Sequence, residues 1–119
     1  MNKLLISILT IFITFNVNSL SVKSYQKSFK NSSDVTHLTI YDAYRKGVVN
    51  GMFTFNEMLD LMGSNQYFCL PRDALFTRDE FNGLLDKGIS ILKSGVPTLD
   101  STDISLPFLV GLKKTYPCR

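Results

Sequence analysis

Few side chains in this sequence could carry out covalent or metal chemistry. There is one histidine, His37, and there are two cysteines, Cys69 and Cys118. Tetrahedral zinc takes about four ligands, so a histidine-built metal centre is nearly excluded and no metal or other cofactor is expected. His37 falls in the first turn of a helix with no partner nearby in sequence. Asp79-Glu80 reads as the acidic start of a helix, and Asp100 with Asp103 is a pair by proximity only. There is no phosphate-binding glycine loop with a following lysine. Met52, Met58 and Met62 read as core filler. The chain is therefore expected not to be an enzyme, and its function is expected to lie in a surface.

The cysteines have a context. Met1-Asn2-Lys3 is short and basic, Leu4 to Phe15 is apolar apart from Ser7, Thr10 and Thr14, and Val17 and Ser19 stand like the small residues before a signal-peptidase cut. This reads as a secretory signal peptide over residues 1–19. Its apolar run of about twelve residues is short of the roughly twenty a spanning helix needs, so a retained anchor is the lesser alternative. No cysteine lies near the cut, which closes the lipoprotein route. Loss of Lys3 leaves 12 basic against 10 acidic side chains. That excess is too mild for a nucleic-acid binder. Two cysteines in an oxidising compartment argue for a Cys69–Cys118 disulfide, with two unpaired buried thiols as the alternative. Closing a loop of about fifty residues is worth roughly 4 kcal/mol at the upper end.

With 119 residues, 45% of them hydrophobic and 19% charged, the composition fits one globular domain. Ser21 to Ser33 is polar and basic without a clear period, and reads with Leu20 as a flexible N-terminal arm over residues 20–33. Asn31-Ser32-Ser33 matches a glycosylation sequon, a match common by chance. From Asp34 onward Leu38, Tyr41, Tyr44, Val48, Met52, Phe55, Leu59 and Met62 recur at three- and four-residue steps. This is one stripe of a helix, capped by Ser33 or Asp34 and stopped by Gly63, with a break plausible near Gly51 to Thr54. Gly47 and Gly51, one turn apart, suggest close packing against a second helix, inside the domain or across a dimer seam.

Pro71 makes Phe68-Cys69-Leu70-Pro71 an extended elbow. Thr77-Arg78-Asp79-Glu80 is a capping box before a stripe of Phe81, Leu84, Leu85, Gly88, Ile89 and Leu92. After a loop over Val96 to Thr102, a last helix starts near Ser105 or Leu106, tolerates Pro107 in its first turn and runs to Tyr116. No stretch alternates with period two. The expected fold is an all-α bundle of three to five helices over residues 34–119, stapled by Cys69–Cys118.

Three motifs stand in order: Tyr44-Arg45-Lys46-Gly47-Val48-Val49-Asn50-Gly51, Phe68-Cys69-Leu70-Pro71, and Leu112-Lys113-Lys114-Thr115-Tyr116-Pro117-Cys118. Behind an export signal, this arrangement resembles the immunity-protein family that protects bacteria from type VI secretion amidase effectors. The likeness spans about two-thirds of the chain, Tyr44 to Cys118. It implies a small, helical, periplasmic, often dimeric toxin–antitoxin partner that binds a peptidoglycan-cleaving cysteine amidase and blocks its active site. It also implies that both cysteines are structural and that, once the signal is cleaved, no membrane is bound. Occlusion requires something that enters a peptide-binding cleft. Val96, Pro97, Thr98, Leu99 and Asp100 are the candidate plug, with Pro97 limiting disorder, Leu99 filling a side-chain pocket and Asp100 approaching a catalytic histidine. The competing reading is a periplasmic binding or stress protein of the same fold without a toxin partner.

Overall fold

The computed structural model describes residues 19–72, 74 and 76–119; the export segment read at 1–19 lies outside these apart from Ser19. Among the described residues there are four α-helices and no strand: α1 (Val22–Ser24), continued by a π-helical turn over Tyr25–Phe29, α2 (Val35–Leu61), α3 (Arg78–Leu92) and α4 (Ser105–Thr115). A 3-10 turn over Leu99–Ser101 precedes α4, and a disulfide joins Cys69 to Cys118. The all-α, disulfide-stapled fold expected from the sequence is the one observed. No described helix is long and apolar enough to cross a membrane.

The segment read as a flexible arm is docked. Val22 and Tyr25 have no exposed surface, and Phe29 packs against the core. Val22, Tyr25 and Phe29 step by three and four, a short apolar stripe hidden among serines and lysines. Ser21 caps the turn by accepting from the Ser24 amide at 3.1 Å. Backbone bonds fix the segment beside the α4 entry, with the Val22 amide on the Thr102 carbonyl and the Ile104 amide on the Leu20 carbonyl, both at 2.9 Å. Tyr25 Oη donates to Asp86 at 2.9 Å, and Lys30 pairs with the same carboxylate.

Helix α2 spans 27 residues without the break allowed for near Gly51, a length of about 40 Å. Asp34 caps it by accepting from the His37 amide, and Gly63, at φ 74°, supplies the left-handed stop. At the other end of the connection, the capping box of α3 is formed as expected between Thr77 and Glu80. Asp42 of α2 holds the start of α3 by accepting two bonds from Arg78, at 3.0 and 2.6 Å.

Close helix packing occurs between α3 and α4, not at Gly47 and Gly51. A Cβ on Gly88 would lie 1.6 Å from the Pro107 carbonyl oxygen, and one on Gly111 would lie 2.0 Å from that of Leu84. Each helix therefore presses its backbone into the other's glycine. Gly47 and Gly51 meet nothing within 4 Å, which removes the internal-crossing reading for them. Helix α2 stands off from this hairpin, and aromatic side chains fill the interval. Rings touch in sequence from Phe29 to Tyr41, Phe81, Phe108, Phe76, Phe53 and Phe68, with centroid separations from 4.3 to 6.2 Å. Such pairs add about 0.5–1.5 kcal/mol each beyond their area burial.

Two outcomes follow. Gly88→Ala and Gly111→Ala force the hairpin apart and should each lower stability by about 3 kcal/mol or more. By contrast Gly83→Ala, at an exposed position of α3 where a Cβ meets nothing within 4 Å, should raise it by up to about 1 kcal/mol. Urea unfolding measures all three. Stability should also fall at both pH extremes. Bonding from Arg78 holds the Asp42 carboxyl below the usual carboxylate range, and the His37 amide does the same for Asp34. These groups bind fewer protons folded than unfolded, so their stabilisation is present above about pH 4 and lost as pH falls through the folded values. Burial raises the Tyr25 and Tyr41 hydroxyls, with Asp86 adding to the rise at Tyr25. Their contribution is present below about pH 10 and lost as pH rises beyond it. The urea midpoint should be highest between about pH 5 and 9, and Asp42→Asn should flatten the acid limb.

Candidate functional site

The connection between α2 and α3 has no regular structure in its described part and lies mostly at the surface, yet it dips into the interior at one residue: Phe68 has no exposed surface. Buried backbone groups need partners, and here side chains of α2 supply them. Asn56 Oδ1 accepts from the Tyr67 amide at 2.8 Å and the Phe68 amide at 3.3 Å, while its Nδ2 donates to the Phe68 carbonyl at 2.8 Å. Arg45 Nη1 donates to the Phe76 carbonyl at 2.8 Å, and its Nε lies 3.5 Å from Asp42. From the other side, the Cys69 amide donates to the Tyr116 carbonyl at 2.8 Å. The disulfide closes the same junction, with Cα atoms 4.9 Å apart. The Cys-Leu-Pro elbow and the Pro-Cys segment after α4 are thus one structural unit.

Asn56 and Arg45 were not legible as interior residues. The apolar stripe uses Tyr44 and Phe55, but Tyr41, Arg45, Val48, Met52, Asn56 and Leu59 also step by four, three, four, four and three. The second series is the one turned inward. Arg45 and Asn56 are buried, whereas Phe55 and Met62 are 45% and 70% exposed. The signal for it was a polar residue at an inward register position facing a connection too irregular to satisfy its own backbone.

The candidate plug lies between α3 and α4, but it is shaped differently from the expectation. Leu99 is 6% exposed and belongs to the core, so its side chain is not free to enter a partner's pocket. The cause is the tight turn around it. The Leu99 amide bonds the Val96 carbonyl, the Thr102 amide bonds the Leu99 carbonyl, and the hydroxyls of Ser101 and Thr102 both donate to the Thr98 carbonyl. Val96 is half-buried, which leaves Pro97, Thr98 and Asp100 as the segment's exposed groups. Asp100 lines a cavity of about 290 Å³ together with Lys30, Asp86 and Lys93.

The remaining candidates for chemistry are placed structurally. His37 is exposed, its ring 5.5 Å from that of Phe29. Asp79 and Glu80 form the first turn of α3, and Asp103 accepts from Tyr44 Oη and from the Ser105 amide. No group of three or more histidine, cysteine, aspartate or glutamate side chains gathers among the described residues. Both sulfurs are consumed by the disulfide.

Two depressions flank the elbow on its solvent side. One, of about 690 Å³, lies between the end of α2 and the disulfide and includes Asp60, Asn65, Tyr67, Lys113 and Arg119. The other, of about 340 Å³, has Tyr67, Ile91, Val110 and Pro117 as its floor, with Lys113 and Lys114 at its side. Lys113 Nζ lies 4.1 Å from the Tyr67 ring centroid.

Compared with known proteins, the chain matches no family model, no curated protein and no solved structure.

Asn56→Ala removes three bonds to the elbow and leaves the Phe68 amide and carbonyl buried without partners. A loss of about 2–4 kcal/mol is expected in urea unfolding of the oxidised protein. Asn56→Asp, which keeps the acceptor but turns a buried carboxylate oxygen toward the Phe68 carbonyl, should cost at least as much at neutral pH.

Proposed function

We propose that this chain is a periplasmic immunity protein that binds a type VI secretion peptidoglycan amidase and occludes its active site, protecting the producing cell or its siblings. The observation that carries the reading is the junction at the elbow. Two of the three motifs on which the resemblance rests, Phe68-Cys69-Leu70-Pro71 and the segment ending in Pro117-Cys118, are joined there by a disulfide and a backbone hydrogen bond. That junction fits a protein made for an oxidising compartment, where thiols pair. It also gives the sulfurs a structural role, as a non-enzymatic binder needs.

Occlusion calls for a surface that is ordered before the partner arrives, because ordering on binding subtracts from affinity. The turn at Pro97 to Asp100 has that property: its carbonyls are bonded within the turn and Leu99 anchors it from below. In this reading Pro97, Thr98 and Asp100 make the contact, and Leu99 positions them.

The same reading includes a homodimer through α2. Its outer face is free of charge over Ile40, Ala43, Gly47, Gly51, Phe55 and Met58, and these residues are exposed or nearly so. In an antiparallel pair centred between the glycines, Ile40 meets Met58, Ala43 meets Phe55 and Gly47 meets Gly51. Such self-complementarity is what a two-fold interface requires.

The test is inhibition. The purified, oxidised protein is titrated into a cysteine amidase encoded beside it, with cell-wall fragments as substrate and light scattering on the mixture. Stoichiometric loss of activity in a complex holding two copies of each chain is expected. An amidase that stays active in the presence of excess protein overturns the reading.

A further inference from the structure

Several carboxylates of this molecule are committed to internal partners. Asp42 is held by Arg78, Asp86 by Lys30 and Tyr25, and Asp103 by Tyr44 and the Ser105 amide. The cations at the disulfide end are not. Lys87, Lys113, Lys114 and Arg119 make no ion pair among the described residues. Lys87 donates to Thr115 Oγ1 at 3.1 Å, and Lys113 lies over the Tyr67 ring. Of the two depressions at this end, the larger is lined by a single aspartate, Asp60, and the smaller by no acidic residue. A concentration of one sign of charge, left without internal partners, is a field waiting for the opposite sign.

The smaller depression adds a second kind of recognition. Its floor of Tyr67, Ile91, Val110 and Pro117 is apolar, and Ile91 is 43% exposed. Its volume of about 340 Å³ has room for one large side chain. A phosphate backbone would find nothing to bond on such a floor. A lipid surface would call for a broader apolar face than this floor of four side chains, which Lys113 and Lys114 adjoin.

We propose that this groove docks an acidic segment of a partner protein. An aliphatic or aromatic side chain of that segment sits on Tyr67, Ile91 and Val110, and its flanking carboxylates face Lys113, Lys114 and Arg119. The groove lies on α4, the outer side of α3 and the elbow, so its use does not depend on the Pro97–Asp100 turn or on the identity of the partner as an amidase. Because the elbow is bonded to both Asn56 and Tyr116, Tyr67 is already in place before anything binds.

The experiment presents the oxidised protein to a displayed library of random short peptides, then measures the recovered peptides by fluorescence anisotropy. Enrichment of sequences with several carboxylates around one large apolar residue is expected, with binding that weakens as salt is raised. The Lys113→Glu, Lys114→Glu double variant should bind these peptides at least about tenfold more weakly, a change of about 1.4 kcal/mol. Ile91→Asp, which alters the floor instead of the rim, should do the same. Lys23→Glu with Lys27→Glu makes an equal change in net charge on the N-terminal segment, which lines neither depression, and should leave binding within about twofold. All these side chains are exposed, so matching thermal unfolding curves show that the variants fold. No enrichment, enrichment of neutral or basic sequences, or equal binding to the Lys113/Lys114 variant overturns the proposal. So does binding to phosphatidylglycerol vesicles without binding to the acidic peptides, which would assign the cations to a lipid surface.

Discussion

Between α2 and α3 an irregular, mostly exposed stretch of backbone dips into the interior at Phe68, and its polar groups there must be bonded. Helices and sheets satisfy their own amides and carbonyls; an irregular segment cannot. Here Asn56 serves both the amide and the carbonyl of Phe68, Arg45 reaches the Phe76 carbonyl, and the end of α4 supplies an acceptor for the Cys69 amide. These bonds are why two polar residues of α2 face inward while Phe55 and Met62 face out. Each unpaired group in this position costs about 1–3 kcal/mol, and Asn56 alone serves three of them. Together they outweigh the roughly 1.5–3 kcal/mol gained by burying one further methionine.

Different forces hold the rest of the molecule. The α3–α4 hairpin is held by backbone contact at Gly88 and Gly111, where any side chain would collide with a carbonyl. Helix α2 is held at a distance by aromatic rings, and at its ends by Asp42 with Arg78 and by the elbow. The disulfide lies where the elbow meets the end of α4, so it reinforces a junction already made by hydrogen bonds.

Much of the fold was legible in the sequence. The capping box at Thr77 and Glu80, the stop at Gly63, the tolerated Pro107 and the Cys69–Cys118 pairing are local or compositional signals, and each appears in the structure. What was not legible depends on distant partners. Gly47-x-x-x-Gly51 looks like a packing motif and meets nothing inside the chain, whereas Gly88 and Gly111 lie far apart in sequence and face each other's helix. The stripe Val22, Tyr25 and Phe29 was hidden by its polar neighbours. Leu99 was read as an anchor for a partner because a loop leucine is a natural anchor, but the hydroxyl bonds to the Thr98 carbonyl turn it into the core. Of the candidate surface, the loop was proposed from the sequence. The lysine-flanked groove was not, since Tyr67, Ile91 and Lys113 belong to three separate segments.

The proposed docking roles require a surface fixed before contact, and the elbow is what fixes Tyr67 and the end of α4 against α2. Native-state hydrogen exchange in low denaturant measures this directly. The amides of Tyr67, Phe68 and Cys69 should exchange only through global unfolding, with the same free energy and denaturant dependence as the amides of Leu85 and Phe108 in the hairpin core. Exchange of the three elbow amides through a local opening, well ahead of Leu85 and Phe108, would contradict the account.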